Sequence, residues 1–180
     1  NRDSVFEIGS ITKVFTSTLL AIMVREGGVA LGDPASELLP YKARHTEKEG
    51  KPITMLTLAN HTSGLPRIPF NLLPQLRSNP ENPYRDYDYA MLREFFENQP
   101  ELQSVPGSSY QYSNLGAGVL GYLLELRSGK SYEDLLLENI FTKYKMTSST
   151  THRKNIASRL VGGRNSQGGI AANWDINALR

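Results

Sequence analysis

From Ile11 onward apolar residues recur every three or four positions. Ile11, Phe15, Leu19, Ile22 and Met23 form one stripe, the signature of a helix with a buried face. Just before it, Ser4-Val5-Phe6-Glu7-Ile8 alternates polar and apolar, which predicts a short strand turning at Gly9-Ser10. Gly27-Gly28 ends the helix, since glycine takes the left-handed conformation of a C-cap. Asp33-Pro34 predicts an N-cap with proline at the first helical position of a short helix that stops before Pro40. Residues 42–51 carry Lys42, Arg44, Glu47, Lys48, Glu49 and Lys51 with little apolar content, the pattern of a solvated loop.

Thr54 to Asn60 reads as another short helix, running into His61-Thr62-Ser63-Gly64-Leu65-Pro66. Five of the ten prolines fall between Pro66 and Pro83, which predicts an irregular excursion rather than packed helix. Asp88 to Asn98 has Met91, Leu92, Phe95 and Phe96 at helical spacing. Val105-Pro106-Gly107 predicts a turn, and Ser108 to Tyr112 an extended segment. Asn114 to Leu126 is a second strongly apolar helix, with Gly116, Ala117, Gly118 and Gly121 permitting close packing and Gly129 as its cap. Ser131 and Asp134 form an imperfect capping box for a helix reaching about Phe141. Helix dominates, and too few strands are visible to build a full sheet.

Composition narrows the function classes. The 180 residues suit a single domain with its own hydrophobic core. Lys and Arg number 20 against 18 Asp and Glu, and no block of positive charge suggests a nucleic-acid footprint. No cysteine is present, which excludes disulfides, thiolate metal sites and a cysteine nucleophile. The longest apolar run, Leu19 to Val24, is far short of the roughly 20 residues of a membrane span. His45, His61 and His152 show no metal-ligand spacing.

The chemistry-bearing pattern is Ser10-Ile11-Thr12-Lys13 at the start of the first helix. Residues three apart share a helical face, so the Lys13 amine is expected beside the Ser10 hydroxyl. A serine hydroxyl becomes a nucleophile when a neighbour accepts its proton, and a helix N-terminus favours the negative charge that develops there. Tyr112-Ser113-Asn114 precedes the second apolar helix, and on an extended backbone its phenol and amide would face the same side. Tyr112 could then relay a proton to or from Ser10, and Asn114 could orient Lys13 and hydrogen-bond a substrate amide.

Taken together, Phe6-Glu7-Ile8-Gly9-Ser10-Ile11-Thr12-Lys13, His61-Thr62-Ser63-Gly64-Leu65-Pro66, and Pro106-Gly107 followed by Tyr112-Ser113-Asn114 resemble the serine β-lactamase and penicillin-binding protein superfamily. The branch they resemble most is that of the class C β-lactamases, which also holds D-alanyl-D-alanine carboxypeptidases, D-aminopeptidases and esterases. The resemblance implies Ser10 as the acylated nucleophile, Lys13 as an aid to its deprotonation, Tyr112 as general base or acid, and Asn114 as a substrate and Lys13 contact. It implies that the Ser10 N–H is half of an oxyanion hole and that His61 lies in a mainly structural loop. A small-molecule substrate, no cofactor, no metal and an exported protein follow from the same resemblance.

The third motif of that superfamily, Lys-Thr/Ser-Gly or His-x-Gly on a strand facing the nucleophile, has no counterpart here. Arg127-Ser128-Gly129 lies at a helix end and Thr62-Ser63-Gly64 in the His61 loop, so neither fits. Residues 1–180 are therefore expected to be one domain and a fragment of a longer chain. Its fold class would be mainly α with a few short strands: the helical lobe of the β-lactamase/transpeptidase-like α/β fold, lacking most of the sheet. Such a fragment would be weakly active or inactive by itself. The expected function is hydrolysis of β-lactam amides through a serine acyl-enzyme, with an esterase, D-alanyl-D-alanine carboxypeptidase or D-aminopeptidase as the alternative within the same chemistry. A non-catalytic penicillin-recognising module is the alternative of another class, and the intact Ser10, Lys13 and Tyr112 set argues against it.

Overall fold

The structure, a computed structural model, describes residues 3–179. It is mainly helical, as the periodicity requires. Helix α1 spans Thr12–Arg25 after a 3-10 turn at Gly9–Ile11, α2 spans Ala35–Leu38, α3 spans Met55–Ala59 and α4 spans Leu73–Ser78. Then come α5 at Tyr89–Asn98, α6 at Asn114–Ser128 and α7 at Tyr132–Leu136, the last running on into a π turn at Leu137–Phe141. The strands are two-residue pairs, antiparallel β1 (Glu47–Lys48) with β2 (Lys51–Pro52) and β3 (Gly163–Arg164) with β4 (Ile170–Ala171).

Helix α6 is the centre of the packing. It is apolar nearly all round, and α1, α2, α3 and α7 all lie against it. Leu115, Val119, Leu120, Leu123 and Leu124 share one core with Leu19, Leu20 and Met23 of α1 and Met55 and Leu58 of α3. Each such side chain removed from water contributes about 1.5–3 kcal/mol. Small residues let this helix be approached closely: a Cβ added at Gly118 would lie 2.5 Å from the Leu179 Cα. Helix α1 is further fixed by a buried hydrogen bond between Thr16 Oγ1 and the Tyr132 hydroxyl at 2.7 Å, and by the edge-on rings of Phe15 and Phe141.

Five expectations need correction. Ser4 to Ile8 is not a strand: Val5 alone bridges to Leu160, and Phe6 and Ile8 are exposed. Ile11 does not join the buried stripe of α1 and is 59 % exposed, because it sits in the preceding 3-10 turn, whose tighter winding takes it off that face. Pro34 is the N-cap of α2 with extended backbone, while the Asp33 carboxylate folds back to accept the Ala30 N–H at 2.8 Å. The charged segment at 42–51 holds the β1–β2 hairpin, whose turn residues Glu49 and Gly50 both have positive φ, as a type I′ turn demands. The proline-rich stretch contains α4, since Pro74 occupies its first turn, where no main-chain N–H is needed.

The other elements match the pattern closely. Thr54, Asp88, Ser113 and Ser131 each cap a helix through a side-chain oxygen, and Gly129 closes α6 in the left-handed region. Among the described residues no helix is long and apolar enough to cross a membrane.

The loop from His61 to Arg67 turns at Gly64, whose φ is +76° and whose added Cβ would stand 2.3 Å from the Ser104 carbonyl oxygen. Gly64→Ala is therefore expected to destabilise the protein by at least about 2 kcal/mol, through backbone strain and a main-chain clash together. Urea unfolding of the two proteins measures the difference.

Candidate active site

Ser10 lies in the 3-10 turn that leads into α1, one turn before Lys13, and both are at the surface of the core rather than inside it. The Lys13 ammonium donates to Ser10 Oγ at 3.1 Å. Tyr112, 102 positions away, donates its hydroxyl to the same oxygen at 2.7 Å. Ser10, Lys13 and Tyr112 are thus brought together as the spacing and the resemblance led us to expect. Ser10 Oγ is the point where they meet.

What carries Tyr112 there is the loop at residues 61–67, along which residues 103–115 are laid by a series of hydrogen bonds. Gln103 N–H donates to Gly64 O at 2.9 Å, Gly107 N–H to Thr62 O at 2.8 Å and Gln111 N–H to His61 O at 2.7 Å. Asn114 and Leu115 N–H both donate to Arg67 O, at 2.9 and 3.2 Å. Between them the buried Ser113 hydroxyl donates to Pro66 O at 2.7 Å while accepting the Gly116 N–H at 2.8 Å. The main-chain donors at the start of α6 are satisfied and the register of Tyr112 is set by the same bonds.

Asn114 is the exception among the candidates. It is the first residue of α6, and its main-chain N–H is held by Arg67 O. Among the described residues its side-chain amide makes no hydrogen bond, to Lys13 or to any other group. The helix cap is Ser113, one residue earlier.

Two groups that the sequence did not single out as site residues stand against Tyr112. The Arg67 guanidinium lies 5.1 Å from the ring centroid, the same distance as the Lys13 ammonium, within the range of a cation–π contact. The His61 ring packs on Tyr112 with centroids 4.6 Å apart. Burial by itself would raise the phenol of Tyr112, but its polar contacts with Lys13 and Ser10 and the charges of Lys13 and Arg67 outweigh that, leaving it below an ordinary phenol. Burial, and then the Lys13 charge, hold His61 below an ordinary imidazole. Beside Lys13 an open groove of about 460 Å³ runs along α1, lined by Val14, Ser17, Thr18, Ala21 and Ala59.

A polarised phenol and a lysine amine on one serine oxygen, at a helix N-terminus, is an arrangement suited to acyl transfer. Comparison with known proteins identifies the family. The family model described as Beta-lactamase matches residues 1–175. The chain belongs to the Beta-lactamase family. Over 148 residues it is 36 % identical to the D-alanyl-D-alanine-carboxypeptidase/endopeptidase AmpH of Escherichia coli, covering 82 % of this chain and 37 % of that protein. A beta-lactamase of the same organism is 29 % identical over 146 residues, 81 % of this chain and 34 % of that one. The solved beta-lactamase/D-alanine carboxypeptidase of Yersinia pestis superposes with a TM-score of 0.74 at 26 % identity, over 94 % of this chain and 47 % of that chain. The chain thus spans less than half the length of these Beta-lactamase relatives.

Since two cations hold the Tyr112 phenol down, removing either is expected to raise its titration midpoint. Carbon-13 NMR of tyrosine-labelled Arg67→Gln and Lys13→Gln proteins, with Tyr112→Phe for assignment, reads this directly. An unmoved midpoint in Arg67→Gln would contradict the assignment of charge.

Proposed function

We propose that this chain carries the nucleophile side of a serine hydrolase of the class C β-lactamase type, which opens β-lactam amides through an acyl-enzyme on Ser10. The observation that carries this reading is the shared Ser10 oxygen, 2.7 Å from the Tyr112 oxygen and 3.1 Å from the Lys13 nitrogen. Hydroxyl hydrogen bonds reverse direction without moving heavy atoms, so the contact that now points at Ser10 can take its proton once Tyr112 has released its own to bulk water. Tyr112 serves as the base, being the closer of the two groups and held below its ordinary range, and Lys13 stabilises the charge left behind.

In the acylation step the Ser10 proton passes to the Tyr112 oxygen and Ser10 Oγ bonds to the substrate carbonyl carbon. The carbon–nitrogen bond then breaks, and the departing nitrogen takes the proton back from Tyr112. Water cleaves the resulting ester by the same relay, releasing the acid and restoring Ser10. The Ser10 N–H has no backbone acceptor among the described residues and is free to stabilise the oxyanion. A preorganised donor of this kind typically lowers the barrier by about 3 kcal/mol. Asn114, its amide unengaged among the described residues, is the proposed contact for the substrate amide. The whole reading treats residues 1–180 as one domain of an exported protein acting on a small molecule.

A second reading keeps the chemistry and changes the substrate to a D-alanyl-D-alanine peptide. What favours it is the higher identity to the carboxypeptidase/endopeptidase, 36 %, than to the beta-lactamase, 29 %. Turnover of nitrocefin against release of D-alanine from a D-alanyl-D-alanine peptide by the intact protein separates the two.

A fluorescent penicillin is expected to label the intact protein covalently, with the adduct located at Ser10 by peptide mass spectrometry. Ser10→Ala should abolish labelling, and Tyr112→Phe should slow it by about 10²–10⁴-fold. An adduct at any other residue, or undiminished labelling of Tyr112→Phe, would refute the assignment.

A further inference from the structure

His61 grips the segment that carries Tyr112 on both sides. Its carbonyl accepts the N–H of Gln111 at 2.7 Å, and its Nδ1 accepts the N–H of Ser113 at 3.2 Å. The side chain between those two donors, Tyr112, packs its ring on the imidazole, 4.6 Å away and inclined by 37°. His61 also sits in the left-handed region at φ 61°, a conformation that non-glycine residues adopt infrequently and that persists where the surroundings enforce it.

The Ser113 contact dictates the state of the ring. A main-chain amide can only donate, so Nδ1 must keep its lone pair and any ring hydrogen must be on Nε2. Protonation would set a second N–H against that of Ser113. The charged and titratable groups facing the ring are Lys13 from α1, Tyr112 on its flat side and Tyr110 edge-on at 5.8 Å, with Arg67 beyond the Tyr112 ring. Among the described residues no carboxylate forms an ion pair with His61.

We propose that His61 is a positioning residue: its neutral imidazole clamps the 111–113 main chain so that the Tyr112 oxygen stays on Ser10, and acid opens the clamp. The activity readout of this inference rests on the acyl-transfer reading given above; the clamp itself does not. Asparagine tests it cleanly, because its side-chain oxygen can accept the Ser113 N–H, it tolerates a left-handed backbone, and it cannot be protonated.

In the intact protein, His61→Ala is expected to lower kcat for nitrocefin by at least about tenfold with KM changed less than about threefold, the effect of a displaced rather than a missing catalytic group. His61→Asn should recover kcat to within about threefold at neutral pH, by restoring the acceptor that orients Tyr112, and should lose the acid limb expected of the wild-type protein, in which His61 protonates below the pH of an ordinary imidazole. On unreacted protein, nitrogen-15 NMR should show the Nε2–H tautomer, and the Tyr112 carbon-13 signal should move with the His61 titration. A Tyr112 signal indifferent to that titration, or an acid limb unchanged in His61→Asn, would overturn the inference. The NMR coupling needs no turnover, so a protein that fails to acylate would count against the proposed function while the clamp is judged on its resonances.

Discussion

The hydroxyl of Ser113 is fully buried and makes two hydrogen bonds, accepting from Gly116 N–H and donating to Pro66 O. The first bond starts the helix around which the core is packed; the second ties that start to the loop that began at His61. A buried hydroxyl left with one of these unmet would cost about 1–3 kcal/mol, so the helix start and the loop are held in one arrangement. Tyr112 is the residue immediately before this junction. Its reach to Ser10 follows from where α6 begins, and the central helix of the core and the candidate active site share a single anchoring point.

Around Tyr112 two opposing effects act on the same phenol. Burial disfavours its ionised form, while the hydrogen bonds of Lys13 and Ser10 and the charges of Lys13 and Arg67 favour it and together prevail. The same Lys13 charge acts in the opposite sense on His61, which burial already keeps neutral. One ammonium therefore separates the protonation behaviour of two adjacent rings, pressing the phenol toward anion and the imidazole away from cation. Such divergence between neighbouring titratable groups is how proton-transfer sites assign acid and base roles.

How much of this was legible in the chain depended on how local each feature was. Ser10 and Lys13 are one turn apart on a helix whose apolar stripe is plain, and their contact follows from helix geometry alone. The cap at Ser131 is equally local, a side chain and an N–H three positions on, and the structure adds the same device at Thr54, Asp88 and Ser113. The arrival of Tyr112 was legible only through the joint pattern of three motifs, because nothing in its immediate sequence says which distant oxygen it meets. The contacts of His61 and Arg67 with Tyr112 were not legible for a physical reason: they depend on how residues 61–67 and 103–115 are laid together, largely by main-chain carbonyl bonds that side-chain identity does not encode. Asn114 is the first residue of α6, after the Ser113 cap, and among the described residues its amide makes no hydrogen bond to Lys13, a side-chain direction that helix spacing alone does not encode.

The oxygen of Ser10 receives two donors at once, from Tyr112 and Lys13. With both lone pairs engaged, its electron density is withheld from any electrophile that merely drifts past. As the proposed nucleophile, the hydroxyl would have to trade a proton before attacking, an exchange that would favour a guest held long enough and in the right attitude. On the proposed reading, discrimination would then start at Ser10 itself: a doubly held oxygen would stay quiet toward casual acylating agents and would be released by residence.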